Sequence, residues 1–407
     1  MLNKDNQREL AYIVAIDEIR PIPNYDRVEH ARVGGGWIIV KKDQFKVGDP
    51  AIYIEVDARV PEREPFMFLA KRNFKVKTLK MCKVLSQGLL MAPEDFGWNI
   101  GKEDGVYTGP IIIGPQGKIW RVGDFLTKEF DITYASDEDN KRKAASVDKY
   151  KKMAARRPEI FKKPWARWLM KREWGRRVMF FFFGKKKDKK GGWPTWVVKT
   201  DEERCQNMPW LFPDDDREWI ATEKIDGTST TFTMKGRGRK REFYVCSRNV
   251  VFDKPDKGCY YDTNVYLEMA EKYHVEEVLS KLMDAFGSEL EFVTLQGETY
   301  GEGIQKRTYG LKGHDFMAFN LIYGFKDGVE RLNPIFMTEV LTEHGIPCVP
   351  IVDTHFKIPE TCDELLVMAE GASVIDGKMR EGLVFRSTDA KQSFKAVSNP
   401  FLLKYHG

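Results

Sequence analysis

The sequence predicts a multi-domain chain: an all-β barrel over residues 1–134, a basic, aromatic-rich insertion or linker over 135–192, and a catalytic domain over 193–407. Three observations predict it. Residues 8 to about 130 hold short β-rich runs broken by turn residues; Lys141 to Lys190 concentrates positive charge; and an apolar, strand-like run ends in Lys224-Ile225-Asp226-Gly227.

In the first unit, Ala11-Tyr12-Ile13-Val14-Ala15-Ile16, Gly36-Trp37-Ile38-Ile39-Val40 and Ala51-Ile52-Tyr53-Ile54-Glu55-Val56 read as strands. Pro23-Asn24 and Val47-Gly48-Asp49 read as the turns between them. Short strands at this spacing point to a small closed barrel. Lys75-Val76-Lys77-Thr78-Leu79-Lys80 alternates basic with apolar residues, so Lys75, Lys77 and Lys80 are expected on one face of a strand. A basic barrel face, as on an OB-fold, holds nucleic acid; a solvated outer face is the alternative.

The second unit carries most of the charge asymmetry. Lys141 to Lys190 holds 20 Lys and Arg against 4 Asp and Glu, so a chain of net charge +5 carries −11 outside this segment. Trp165, Trp168, Trp174 and Phe180-Phe181-Phe182-Phe183 lie within it. Cations interleaved with rings suit a polyanion. A solvated linker anchored by its aromatics is the competing reading, and a membrane-surface patch at Val178 to Phe183 is a third. Lys185 to Gly192 is the most linker-like stretch.

Composition narrows the class. With 407 residues the chain can build two or three cores, and 42% apolar with 31% charged residues describes a soluble protein. No apolar run approaches the roughly 20 residues that span a bilayer, and Met1-Leu2-Asn3-Lys4-Asp5 lacks a signal-peptide core. A cytoplasmic location is expected, with no membrane and no obligate protein partner. Six scattered cysteines argue against a disulfide framework or zinc site, and the six histidines form no ligand motif. The run Gly109 to Gly114 continues with Pro115, which excludes a P-loop.

The third unit holds the chemistry. A lysine is protonated near neutrality, so a nucleophilic one needs burial, neighbouring cations or a metal to free its lone pair. Lys224 follows the apolar Trp219-Ile220-Ala221; Asp226 could orient a metal or its water; Gly227 would let the backbone approach a nucleotide. An exposed Lys-Asp turn is the bland alternative.

Further runs follow in order: Ser247-Arg248-Asn249, Leu295-Gln296-Gly297-Glu298, Phe316 to Asn320, Glu381-Gly382-Leu383-Val384-Phe385-Arg386 and Ser393-Phe394-Lys395. Together with Thr222 to Ser229 they resemble the motif set of the covalent nucleotidyltransferases: DNA ligases, RNA ligases and messenger RNA capping enzymes. The resemblance implies an α+β domain of ATP-grasp-like antiparallel sheets. Glu18 to Pro23, Tyr53-Ile54-Glu55, Leu85 to Leu90 and the run Lys199 to Asn207 are similar to the fifth family of ATP-dependent RNA ligases. Those enzymes carry an N-terminal OB module and join 3′-hydroxyl to 5′-phosphate at nicks. Only 12 residues follow Lys395, which leaves no space for the C-terminal OB domain of DNA ligases and capping enzymes.

What the resemblance implies is a lysyl-AMP on Lys224, with ATP and Mg2+ or Mn2+ as cofactors and a nicked RNA or RNA/DNA duplex as partner. Lys395 would contact the α-phosphate, and Arg204 and Arg248 would hold phosphate or ribose. Glu223 would bind the nucleotide; Phe319, rather than Phe316, would stack on adenine. Glu298, Glu381 and Asp226 would hold the metal, mostly through water. Two positions depart from the pattern: Val397 stands where a second lysine is frequent, with Lys404 as a conceivable substitute, and Asn320 replaces an aspartate. A GTP-dependent capping-type guanylyltransferase and an RNA-binding protein with a decayed catalytic domain are the alternatives. The RNA sealed, tolerance of a DNA template, the insertion's role, the preferred metal and the oligomeric state stay open.

Overall fold

The computed structural model describes residues 8–102, 110–134, 193–194, 196–197, 202–212, 217–248, 250–252 and 264–406, with isolated positions 163, 166 and 169. The basic insertion's aromatic patch, Lys199 to Asp201 of the upstream signature, and Asn249 lie outside the described residues.

The N-terminal unit is built on an antiparallel sheet of Ala11–Ala15, Pro50–Ile54 and Leu89–Met91. Its strands read as continuous apolar runs because both faces are covered. Ala11, Ile13, Ile52 and Ile54 enter one core with Phe66, Trp98 and Phe130, while Tyr12, Ala51 and Tyr53 enter another with Ile16, Val33 and Ile38. A second antiparallel sheet, Glu18–Ile22, Tyr25–Val33 and Gly36–Lys41, closes over that other core. The expected closed barrel is thus divided, among the described residues, into short sheets. Pro21 and Pro50 offer no N–H to a ladder, and the register slips between Pro21 and Ile22.

The lysine stripe also differs from expectation. Lys75 forms a lone bridge with Arg59, and a strand resumes only at Leu79–Met81. Phe74 and Val76 turn into the core, so Lys75 and Lys77 turn outward together. Lys80 belongs to that separate strand. Its Nζ instead donates to the Leu403 carbonyl at 2.8 Å.

The C-terminal unit stacks two sheets. One runs, in spatial order, Glu203–Arg204, Ser393–Val397, Gly382–Ser387, Trp219–Lys224 and Ile351–Phe356; only its first pairing is parallel. The other is antiparallel, in the order Val251–Phe252, Glu242–Ser247, Thr228–Lys235, Leu290–Gly301, His314–Phe325 and Gly328–Arg331. Helices Val265–Lys272 and Val275–Ala285 cover the outer face of this second sheet, supplying Met269, Leu279 and Leu282 to a core with Phe232, Leu295 and Phe316.

Polar and apolar contacts dock the two units. Arg8 pairs with Glu203, whose other oxygen accepts from Asn207 Nδ2 at 2.8 Å; the same nitrogen donates to Glu55 at 3.1 Å. Arg32 pairs with Asp363 at 2.9 Å. Leu85 packs on Val397 and Leu402.

Candidate active site

The chain passes from the first sheet to the second immediately after Lys224. Strand Trp219–Lys224 ends there, Ile225-Asp226-Gly227 makes the crossing, and Thr228–Lys235 begins the second sheet. Gly227 is required by packing rather than by a ligand: a Cβ there would lie 2.3 Å from the Thr299 carbonyl oxygen. Lys224 is in register with Gly382, which brings Glu381 alongside it, and Ser229 is in register with Glu298. The two sheets thereby converge three carboxylates on one amine.

Lys224 Nζ lies 2.8 Å from Glu381 Oε1, at the floor of a cavity of about 440 Å³. Burial alone would lower the lysine's pKa. Glu381, Glu298 and Asp226 outweigh it and hold the ammonium above the ordinary lysine value. Of the three ways to free the lone pair, burial is thus overridden here by the surrounding carboxylates. Glu298 bears the cost of the crowding. Withdrawal from solvent, reinforced by Glu381 and Asp226 and opposed by Lys224, pushes it up to about 8.

Phe319 and Lys395 complete the cavity wall. Along His314–Phe325 the pairing slips between Gln296–Asn320 and Gly297–Ala318, so Phe319 is the extra residue of a β-bulge and its ring is re-aimed into the cavity. Phe316 points the other way, fully buried against Phe232. On Ser393–Val397, Phe394 and Ala396 enter the core beneath the sheet, which leaves Lys395 on the cavity side.

Residues 217–405 match the RNA ligase family, and residues 10–93 match an OB-fold domain. The chain is also similar over 98% of its length to Naegleria gruberi RNA ligase solved with pyrophosphate, at 26% identity and a TM-score of 0.64, covering 99% of that chain. An alanine variant of that ligase with ATP and Mn is similar at 26% identity and a TM-score of 0.65, over 98% of this chain and 99% of the other. Residues 217–405 thus carry an RNA ligase domain. No curated protein sequence matches it significantly.

Of the residues expected in the ligase site, Glu223, Lys224, Asp226, Arg248, Glu298, Phe319, Glu381 and Lys395 line the one cavity. Arg204 does not. It lines a separate small cleft with Tyr53, Gln87 and Asn207, where the N-terminal unit meets the ligase domain. Lys404 is exposed and sits over the Tyr405 ring, away from the cavity. Asn320 is buried and donates to Gln296 Oε1 at 3.0 Å, so it serves the sheet interior. Val397 is buried against Leu85 and Leu402, which gives an apolar residue a reason to stand there.

Glu202, Gln305 and Arg386 also line the cavity, with no role assigned to them from the sequence. Arg386 is 3% exposed; it donates to the Phe319 carbonyl at 2.8 Å and pairs with Glu202, and burial pushes its pKa down to about 10. Leu383 and Phe385 are core residues, so strand alternation places Val384 and Arg386 on the cavity face. That signal was readable. Gln305 offered none, since it reaches the cavity from a loop.

Among the described residues no three acid, His or Cys side chains converge tightly enough to ligate an ion directly. Glu298, Glu381 and Asp226 nonetheless form an all-oxygen donor set with excess negative charge, which suits a hard cation held through its water shell. No helix among the described residues is long and apolar enough to cross a membrane.

Proposed function

We propose that this RNA ligase uses ATP to seal nicks between a 3′-hydroxyl and a 5′-phosphate in RNA-containing duplexes, through a lysyl-AMP on Lys224. The observation that carries the reading is the amine of Lys224 set among Glu381, Glu298 and Asp226 in a cavity that also presents a ring, Phe319, and a second lysine, Lys395.

In the first step the Lys224 ammonium gives up a proton to solvent, and its freed Nζ bonds to the α-phosphorus of ATP while the bond to the bridging oxygen breaks and pyrophosphate leaves. Lys395 and Arg248 supply positive charge to the phosphoryl oxygens as negative charge builds there. Phe319 stacks on the base. Glu223 is 1% exposed and gives one oxygen to the Val374 N–H at 2.8 Å, while its Oε1 accepts no hydrogen bond among the described residues and the side chain lines the cavity. An acceptor there suits the exocyclic amine of adenine and disfavours the guanine carbonyl, which favours ATP over the GTP of a capping enzyme. Mg2+ or Mn2+ held by Glu298, Glu381 and Asp226 through water would neutralise the carboxylates that keep Lys224 protonated. AMP then passes to the 5′-phosphate, and attack by the 3′-hydroxyl releases it. All three displacements occur at one phosphorus at a time, so one cavity serves them in turn.

The test is a duplex with a single 3′-hydroxyl/5′-phosphate RNA nick, incubated with ATP and Mg2+ or Mn2+, beside a single strand of the same sequence. Sealing of the nick ahead of end-joining of the single strand supports the proposal. Joining of single strands alone, or label transfer from GTP to a 5′-diphosphate end, would replace it with a different ligase class or with capping.

A further inference from the structure

The loop 302–313, between strands Leu290–Gly301 and His314–Phe325, folds back over the turn that follows Lys224 instead of extending into solvent. Tyr309 Oη accepts a hydrogen bond from the Asp226 N–H at 2.7 Å, with Tyr309 5% and Asp226 4% exposed. Gln305 Nε2 donates to the Gly227 carbonyl at 3.1 Å. Two successive residues of the crossing are thus held by side chains of one loop.

The Tyr309 ring is itself fixed. The Arg307 guanidinium lies 4.1 Å above it and Tyr300 meets it edge-on at 5.1 Å. Arg307 is 3% exposed and pairs with Asp376 at 2.6 Å. Asp376 belongs to the same loop as Val374, whose N–H binds Glu223. A closed circuit, Glu223 side chain to Val374, Asp376 to Arg307, Tyr309 to the Asp226 N–H, therefore ties down the residues on both sides of Lys224. Tyr309 adopts φ +54°, a left-handed conformation unfavourable for an aromatic residue. Such strain persists where the surroundings demand it, often at functional sites.

We infer that Tyr309, assisted by Gln305, is a positioning residue that fixes the direction of Lys224 by holding the Asp226-Gly227 peptide. This rests on the proposed role of Lys224 as nucleophile. An in-line displacement is sensitive to misplacement of the attacking atom by an ångström or less. The clamp therefore acts on the rate of adenylyl transfer and not on ATP affinity.

Tyr309→Phe keeps the ring, its contacts with Arg307 and Tyr300, and removes only the oxygen that accepts from Asp226. Single-turnover adenylylation at saturating ATP is expected to slow about tenfold or more in this variant, with the half-saturating ATP concentration within about threefold of wild type. Tyr300→Phe, which leaves the crossing untouched, is expected to keep the wild-type rate. Hydrogen exchange read by mass spectrometry is expected to show faster exchange confined to the peptide spanning 224–228. A wild-type rate in Tyr309→Phe, a loss expressed only as weaker ATP binding, or a loss that tracks a global fall in Tm with exchange raised throughout would each overturn the inference. If the wild-type protein forms no adduct, the proposed function fails, while the local exchange pattern still decides whether Tyr309 holds the Asp226 amide.

Discussion

Phe316 and Phe319 stand three residues apart on one strand, and a single bulge gives them different duties. Phe316 is fully buried beside Phe232; Phe319 faces the cavity. Base stacking on an aromatic side chain is worth about 1–3 kcal/mol, so Phe319→Ala is expected to raise the ATP requirement of adenylylation about tenfold with little change in Tm. Phe316→Ala is expected to cost about 3–5 kcal/mol of stability in urea titration, with ATP affinity nearly unchanged in the folded fraction. If the two variants exchange phenotypes, the assignment of the rings is wrong. Lys224, Glu298, Glu381, Phe319 and Lys395, to which the family resemblance pointed, lie in contiguous runs and line one cavity. Tyr309, Gln305 and Glu202 were not legible, because their partners sit on other elements and no fixed offset in the chain announces them. For Lys224, the apolar run before it and Asp226 two residues on are visible in the sequence, whereas Glu298 and Glu381, which also override burial, arrive from other elements.

At the scale of elements, strand alternation explains the departure at Val397. Phe394 and Ala396 enter the sheet's core, Lys395 faces the cavity, and Val397 meets Leu85 of the N-terminal unit. Taking an ammonium out of water there costs several kcal/mol, so Val397→Lys is expected to destabilise the protein by about 3 kcal/mol or more and to expose the junction of the two units to protease. A Val397→Lys variant of normal stability would show that packing does not dictate this position. The junction also carries a titrating group. Burial, with Glu203 adding to it, pushes Glu55 up to about 7 from the ordinary 4.5. The folded protein then holds a proton that the unfolded chain releases, so the stabilising contribution of this group is complete below its unfolded pKa and is lost as pH rises through its folded value. Tm is expected to fall as pH climbs from about 5 to 8, and Glu55→Gln, which still accepts from Asn207, is expected to flatten that fall. A variant profile parallel to wild type would remove Glu55 from the explanation. Most β-runs of the N-terminal unit were legible from their apolar pattern. The lysine stripe was not, since no continuous strand runs from Lys75 to Lys80 and Lys80 is engaged by the Leu403 carbonyl.

Across the whole molecule, charge and order of units were the readable features. The segment 141–190 holds 20 Lys and Arg against 4 Asp and Glu, and the units on either side match an OB-fold domain and an RNA ligase domain. The docking between those units could not be read, because it rests on dispersed pairs such as Arg8 with Glu203 and Arg32 with Asp363. If the basic segment neutralises phosphates, its deletion lowers the slope of log K against log salt by about 0.7–0.9 for every phosphate it had neutralised. RNA binding by a variant lacking 141–190 is therefore expected to be weaker and less salt-dependent than wild type; an unchanged slope would make the segment a bystander to RNA. None of this matters if the lysine is not the nucleophile. The decisive measurement is incubation of the protein and Lys224→Ala with ATP labelled on the α-phosphate, separately with labelled GTP, in Mg2+ or Mn2+, followed by denaturing electrophoresis and mapping of the labelled peptide. A label from ATP that maps to Lys224 and is absent in the variant is the predicted result; label from GTP alone, label that survives in Lys224→Ala, or no label from either nucleotide would contradict it.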